Sequence, residues 1–290
     1  MKNIMSLTKR NLLLFFRDKA AVFFSFLSVI IILGLYILFL SDVQVLNIKQ
    51  VVGEAEGIKP LVNSWVMAGL IAVSSVTLSL GALGRIVADR ENNSINDFLV
   101  APIKREQVFI SYLFSTLIIT MLLSLVLIVI AEIYIVSSGG VLLTIVQALK
   151  VLGITILCTI SSSLLMLFIV SYLKSEQSLG IFSTIVGTMI GFITGAYIPM
   201  GIMPKGIQLI SNIIPVSQGA SLLRKVFLEH PIKEVFTNAE ALKEYSKLQG
   251  IDLYLGSFEL TPIFMIVMII LSIVIFSILN IIRFKRMKNK

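Results

Sequence analysis

Six long apolar segments without a charged residue restrict the fold of this chain more than any other feature. They cover residues 20–40, 61–83, 108–131, 151–173, 178–204 and 260–282. Each reaches the roughly 20 residues that a helix needs to cross a hydrocarbon core about 30 Å thick. The fifth segment ends in Gly- and Pro-containing sequence, so its helix is predicted to stop near Ile198. We therefore predict an all-α polytopic membrane protein with six transmembrane helices, near residues 20–40, 61–83, 108–131, 151–173, 178–198 and 260–282.

The positions of the basic residues predict the orientation. The 290 residues are 57% hydrophobic and only 14% charged, and 15 of the 24 Lys and Arg residues lie in four segments on the side of the two termini: 1–19, 84–107, 174–177 and 283–290. Lys and Arg are enriched in cytoplasmic loops. We therefore expect both termini and the 84–107 loop to be cytoplasmic. This asymmetry explains the net charge of +8 without a nucleic-acid partner.

The positions of the reactive residues exclude most chemistry within the membrane. All five Asp residues lie outside the apolar segments, the only His is His230 in an outer loop, and Cys158 is the single cysteine. These positions exclude an aspartyl intramembrane protease, a Ser–His pair in the bilayer and a disulfide framework or paired-cysteine metal site. The chain also lacks a G-x-x-x-x-G-K-[ST] loop that could hold a nucleotide phosphate. We expect no catalytic residue, no metal and no cofactor in this chain.

Ion-coupled transport has little support, because such carriers usually place carboxylates or broken helices within the membrane. Glu132 and Lys150 only flank the outer ends of the third and fourth segments. A carrier without a coupling group needs another energy source. An ATP-independent flippase or uniporter and a non-transporting membrane sensor subunit remain alternatives at this point.

The loop "ADRENNSINDFLVAPIKRE", residues 88–106, carries a small amphipathic pattern of its own. Ser94 and Asp97 have the spacing of a capping box, and Pro102 would end a helix of about two turns. Three apolar residues share one face of this helix: Ile95, Phe98 and Leu99. The helix either lies on the lipid interface or forms a knob that fits a groove on a cytoplasmic partner.

This loop also resembles the signature "E-R-E-x-G-T-x-E-x-L-L-x-x-P-[IV]-x-R" of the membrane subunits of ABC-2 type exporters, also called type V or G-type. The matching residues are Arg90, Glu91, Ser94, Phe98, Leu99, Pro102, Ile103 and Arg105. The sequence departs from the signature at Asn93, where the family has Gly, and near the second acidic position, where Asn96 and Asp97 stand.

Two further blocks extend the resemblance over nearly the whole chain. The N-terminal "KRNLLLFFRDKAAVFF" contains Arg10 and the pair Arg17-Asp18, which resemble the family's amphipathic connecting helix. Residues 197–228 resemble a proline-rich block that follows the fifth span in the family. Its matching positions are Pro199, Met203, Pro204, Pro215 and Arg224. Pro204 and Pro215 also suit the first positions of two short helices.

The resemblance implies one domain, residues 1–290, that acts as half of a dimeric pore together with a second copy or a homologous permease. A connecting helix (1–19) and a coupling loop (84–107) would face two copies of a separate ATPase subunit, which binds ATP and Mg²⁺. Re-entrant helices and a cap (199–259) would lie outside the cell. The implied coupling residues are Arg90, Glu91, Ser94, Ile95, Asp97, Phe98, Leu99 and Pro102. The implied extracellular gate residues are Pro199, Met200, Met203 and Pro204.

Small residues in the second and fifth spans have two interpretations. Gly187, Gly191 and Gly195 form a G-x-x-x-G-x-x-x-G stripe, which lets helices approach closely. Ser75, Thr77 and Ser79 are small polar residues of the second span. Both sets either pack within one subunit or line a central cavity, as the resemblance implies. An uncharged cavity suits an amphiphilic or hydrophobic cargo, such as a drug, an antimicrobial peptide, a lipid or a lipid-like toxin, exported through the cell membrane of a bacterium.

Overall fold

The computed structural model describes residues 2–55, 57–95 and 103–288, and the fold is almost entirely helical. Within these residues the α-helices are α1 (Lys2–Arg17), α2 (Lys19–Leu35), α3 (Ser41–Val52), α4 (Ile58–Glu91), α5 (Arg105–Ser137), α6 (Ile145–Val170), α7 (Glu176–Ile193), α8 (Lys205–Ile213), α9 (Pro215–Phe227), α10 (Pro231–Val235), α11 (Ala239–Leu248) and α12 (Pro262–Lys288). A π-helical turn (Tyr36–Leu40), a 3₁₀ turn (Met200–Ile202) and a hairpin of β1 (Tyr254–Leu255) and β2 (Phe258–Glu259) complete the described elements.

Five helices are long and apolar enough to cross a membrane: α4, α5, α6, α7 and α12. A sixth is added if α2 and its continuation to Leu38, which bend between Leu27 and Val29, count as one span. Its start is fixed by Asp18, whose carboxylate accepts a hydrogen bond from the Ala21 N–H at 2.9 Å. The chain is therefore an all-α, multi-pass membrane protein, as the apolar segments predicted.

Helix α4 is the centre of the bundle. Nearly all of its residues between Ile58 and Val87 are buried, and it packs against α2, α5, α6, α7 and α9. Its 34 residues would extend about 51 Å at 1.5 Å per residue. We call the end of the bundle that carries Arg10, Arg90 and Arg283 the basic end, and the opposite end, formed by residues 199–259, the cap end.

The predicted 84–107 loop begins later than its sequence suggested, because α4 continues to Glu91. Asn93, with φ 57°, then has the left-handed backbone conformation that commonly ends helices. The family signature has glycine here, and asparagine is among the few other residues that adopt this conformation readily. The substitution noted in the sequence therefore keeps the local geometry. Asp97, Phe98, Leu99 and Pro102, four of the predicted coupling residues, lie outside the described residues.

Proline starts the two short helices at the cap end, as the sequence indicated. Pro204 immediately precedes α8, which has nine residues, and Pro215 is the first residue of α9, which has 13. Helix α9 packs against α4, α6 and α12. Ten of the 12 residues 238–249 ("NAEALKEYSKLQ") form α11.

The fifth span ends at Ile193, five residues before the predicted end at Ile198. The chain turns at Gly195, where φ is 66°, a conformation that favours glycine. The Tyr197 ring then folds back onto α7 and occupies the space next to Gly191. At Gly187, by contrast, no neighbouring atom lies within 4 Å of the position that a methyl group would take. The three glycines of the stripe therefore have three different surroundings.

These surroundings give a stability test. A methyl group at Gly191 would overlap the Tyr197 ring, so we expect Gly191→Ala to destabilise the protein by about 1–3 kcal/mol, as overpacking does. Gly187→Ala is the matched control. It should be neutral or stabilise α7 by roughly 0.5–1 kcal/mol, because glycine is a poor helix former. Thermal unfolding of the detergent-solubilised variants measures both, and equal unfolding temperatures would contradict the Gly191–Tyr197 contact.

Candidate functional site

A buried carboxylate joins three helices at the basic end. Asp89, near the end of α4, has no exposed side-chain surface and forms ion pairs with Arg10 of α1 and with Arg85. Its Oδ2 accepts hydrogen bonds from Arg10 Nη1 at 2.7 Å and from the Tyr112 hydroxyl of α5 at 2.6 Å. Oδ1 accepts from Arg10 Nη2 at 3.2 Å. The arginine fork is therefore bidentate, the geometry that suits a carboxylate best.

This cluster fixes α1 to the bundle. Helix α1 packs on α5, and Thr8 donates a hydrogen bond to the Ser111 carbonyl at 3.4 Å. Hydrogen bonding to Asp89 raises the pKa of the Arg10 guanidinium above its usual value. Sequence reasoning noted Arg10 but missed Asp89. Two features of the sequence could have identified Asp89. It follows Arg85 by four residues, and it stands at the first acidic position of the signature, directly before Arg90 and Glu91.

Arg90 and Glu91 hold the turn between α6 and α7. The Arg90 guanidinium donates hydrogen bonds to the Ser171 and Leu173 carbonyls, which follow the C-terminus of α6. The Glu91 carboxylate accepts from the Glu176 N–H at 2.7 Å, at the N-terminus of α7. A cation at a helix C-terminus and an anion at a helix N-terminus both complement the helix dipoles. We call Arg90 and Glu91 the turn clamp.

Arg283 of α12 strengthens the same turn. Its Nε lies 3.3 Å from Ser171 Oγ, and its guanidinium carbon lies 4.0 Å above the Tyr172 ring. The turn is therefore held from α4 and from α12 at once. Two of the predicted coupling residues thus contact the α6–α7 turn of their own chain.

The remaining described coupling residues are Ser94 and Ile95. Both are half-buried, and Ile95 packs against the main hydrophobic core. The sequence placed Ile95 on the apolar face of a short helix that lies on the lipid interface or contacts a partner. The structure gives Ile95 a contact within the chain, while Phe98 and Leu99 lie outside the described residues.

An open groove of about 310 Å³ lies between α2, α4 and α7. Thr77 and Gly187, two of the predicted cavity residues, line it. The other lining residues are Ala21, Phe24, Ser25, Leu80, Gly81 and Ser183. The groove contains hydroxyl groups and apolar surface but no charge.

Ser75 and Ser79 lie elsewhere, inside the bundle. Both are fully buried, and their hydroxyls pair with α6 residues at 2.9 Å, Ser75 with Ser162 and Ser79 with Ser163. Ser79 also lies 3.3 Å from the Thr120 hydroxyl of α5. These two serines connect helices of one subunit and do not reach the groove. Gly191 and Gly195 are also buried, so of the glycine stripe only Gly187 lines the groove.

The predicted gate residues surround the turn after α7. Met200 is 3% exposed and Met203 is 9% exposed. The Met200 side chain is close to Gly195 and Gly250, both of which have positive φ. Pro199 is buried, whereas Pro204 is exposed.

Arg224 of α9 ties this turn to the rest of the cap end. Its side chain is fully buried, donates to the Gly195 carbonyl at 2.9 Å, and lies with its guanidinium carbon 4.6 Å from the centre of the Trp65 ring. Trp65 in turn donates to the Gln249 carbonyl at 2.8 Å. No carboxylate among the described residues forms an ion pair with Arg224, so carbonyl groups and the aromatic ring stabilise the charge.

The fold and these sites define a multi-pass membrane protein whose buried polar groups join its helices. A family model described as "ABC-2 type transporter" matches residues 2–228, which include α1–α9, Asp89 with its partners, and the turn clamp. The chain belongs to the ABC-2 type transporter family and is a permease subunit. Members of this family generally associate with an ABC ATPase subunit. A search of curated proteins found no match.

The Asp89 cluster predicts that removing a single negative charge lowers the stability of the protein considerably. Asp89→Asn keeps the side-chain shape but leaves Arg10 and Arg85 without their counter-charge, so we expect a loss of about 3 kcal/mol. The variant should unfold at a lower temperature, and trypsin should cleave α1 more rapidly. Glu176→Gln, an exposed carboxylate at the same end, is the control and should behave like the unmodified protein. Indistinguishable unfolding of the two variants would show that the cluster does not hold α1.

Proposed function

We propose that this permease is half of an ATP-driven exporter. Two permease subunits, identical or homologous, work with two copies of a separate ABC ATPase subunit, which binds ATP and Mg²⁺. The complex moves an amphiphilic or hydrophobic cargo out of a bacterial cell. Membership of the ABC-2 family supports the ATPase partner, and the uncharged groove between α2, α4 and α7 supports the class of cargo.

The orientation follows from charge. The basic end carries the majority of the Lys and Arg residues, so we place it in the cytoplasm and the cap end outside. With this orientation α8 and α9 enter the outer leaflet and return. Their length, nine and 13 residues, is too short to span. The packing of α9 against three long helices provides the protein surroundings that such a segment requires.

The turn clamp is the observation that carries the proposal. Glu91 ends α4, and residues 92–107 of the predicted coupling loop, here called the coupling segment, follow it. The Glu91 carboxylate binds the first N–H group of α7. Arg90 binds the other side of the same turn. Force applied by the ATPase to the coupling segment therefore reaches α7 through two hydrogen-bonded contacts. Helix α7 lines the groove through Ser183 and Gly187, so its movement changes the cargo path.

The open side of the groove indicates where the second subunit lies. Only Ile190 and Gly191 are buried in α7, and Gly187 has free space next to its backbone. Small residues on an uncovered helix allow close approach of another helix. We place the second permease subunit against α2 and α7, so that the two grooves form one cavity.

The clamp can be tested through the movement of α7. In a Cys158→Ser background, Ser183→Cys places a single thiol in the groove. With the co-purified ATPase present, we expect its reaction with a thiol reagent to change at least severalfold when ATP and Mg²⁺ are added. The double variant Arg90→Ala, Glu91→Ala should abolish this change while ATP hydrolysis continues, because the two caps contribute only about 1 kcal/mol each to the fold.

Lys174→Ala is the matched control, because Lys174 lies exposed on the same turn. It should leave the nucleotide-dependent change intact. A change that persists in the double variant would overturn the proposed route through the clamp. Loss of thermal stability without loss of the nucleotide response would assign the clamp to folding alone.

The gate can be tested in the same background with one cysteine at a time. If Met200 and Met203 seal the path, Met200→Cys and Met203→Cys should react with an impermeant reagent, added from outside, only in one nucleotide state. Methionine suits such a seal because its flexible side chain fills irregular gaps. Ile202→Cys is the control, since Ile202 is 64% exposed in the same turn and should react in every state. Identical labelling at Met200 and Met203 in all states would place the gate elsewhere.

A further inference from the structure

A second groove lies between α5, α6 and α12, next to the core residues Phe109 and Leu167. It consists of two adjoining cavities of about 450 Å³ each, which share Phe109 and Phe284 and, at their common edge, Glu106 and Lys285. The rings of these residues are stacked, with centroids 4.2 Å apart and planes 15° apart. The stack forms a flat apolar wall where the two cavities meet. None of the residues that line the α2–α4–α7 groove belongs to this one.

The two parts of this groove differ in chemistry. The inner cavity is lined mainly by aliphatic side chains: Ile110, Leu113, Leu164, Leu167 and Ile281. The outer cavity, at the basic end, is lined by Lys104, Arg105 and Lys285 and by one acidic residue, Glu106. Among the described residues, these four side chains carry three positive charges and one negative charge, a net charge of +2. A long apolar trough thus opens at a positively charged mouth.

Asn280 is a polar side chain in the lining of the inner cavity. Its side chain is 3% exposed, and its Nδ2 donates to the Leu164 carbonyl at 2.9 Å and to the Phe276 carbonyl at 2.7 Å. Its Oδ1 has no hydrogen-bond partner among the described residues. Buried polar atoms are rarely left unpaired. Five helical residues separate Asn280 from Lys285, a rise of about 7.5 Å.

We propose that this groove binds an anionic diacyl phospholipid of the leaflet at the basic end. Lys104 and Lys285 contact the phosphate, and an acyl chain lies along the aliphatic wall past the Phe109–Phe284 stack. Basic pockets between transmembrane helices are suited to anionic head groups. The inference uses the orientation given under the proposed function, but it requires neither the ATPase nor the cargo.

The expected selectivity follows from the charge of the mouth. Each basic residue near an anionic lipid surface contributes roughly fivefold to binding. A net charge of +2 should therefore favour dioleoyl phosphatidylglycerol over dioleoyl phosphatidylcholine by at least about tenfold. Lipids that merely surround the protein would show a weaker preference that does not depend on one lysine.

Native mass spectrometry of the full chain in detergent can measure this. Titration with each of the two lipids gives the affinity of the first bound molecule. We expect Lys285→Glu to reduce the phosphatidylglycerol preference at least fivefold, because it reverses a charge at the mouth. Lys174→Glu makes the same change in net charge at the same end but outside the groove, and it should keep the preference. Equal losses in these two variants would overturn the proposal, as would an absence of preference in the unmodified chain.

A second pair of variants tests the apolar part. Ser277→Trp fills the inner cavity and should weaken binding of both lipids, whereas Ile278→Trp lies on the neighbouring exposed surface and should not. Glycerophosphoglycerol, the head group without acyl chains, should fail to compete. Competition by this soluble compound would show a phosphate site without a lipid groove. Because no ATPase is present, failure here is distinguishable from failure of the export proposal, which the Ser183→Cys experiment tests.

Discussion

The ion-paired carboxylate of Asp89 is the interaction on which the basic end depends. A fully buried charge is stable only when its hydrogen-bonding capacity is used, and here two arginines and a tyrosine surround it. Because these partners come from α1, α4 and α5, one side chain determines how the amphipathic N-terminal helix lies against the bundle. The next two residues, Arg90 and Glu91, then bind the α6–α7 turn. Three consecutive residues at the end of one helix therefore position three other segments.

The membrane explains how several other buried hydroxyls are paired. Water is absent from the hydrocarbon core, so hydroxyls bond to carbonyls of their own helix or to hydroxyls of a neighbour. Ser161 of α6 and Ser272 of α12, 2.7 Å apart, repeat the arrangement of Ser75 with Ser162. Such contacts join helices without charge. Those at Ser75 and Ser79 use hydroxyls that the sequence left open to a role in the cavity.

The sequence predicted the class of fold well, because the apolar segments must be helical in a membrane whatever their packing. It also predicted the starts of α8 and α9, since proline acts locally at Pro204 and Pro215. It placed the end of α7 five residues late, because the turn at Gly195 depends on Tyr197 folding back onto Gly191. The partners of Asp89 and Arg224 could not be predicted either. Arg10 lies 79 residues from Asp89, and Trp65 lies still farther from Arg224. Composition carries no information about which of these distant residues meet.

The contrast between α4 and α7 suggests which element moves. In the 18-residue apolar stretch of α4, 89% of the residues are buried. Both ends of the helix are fixed, at the cap end by the contact of Trp65 with Arg224 and at the basic end by the ion pairs of Asp89. In α7 only 11% are buried. Within one subunit, shifting α4 would disrupt packing with at least five helices, whereas shifting α7 would break few contacts of its own chain. The turn clamp links the proposed coupling segment to the less constrained helix. Conformational change at the basic end is therefore expected to displace α7 against a stationary α4, and the groove between them is where that displacement alters the shape of the subunit.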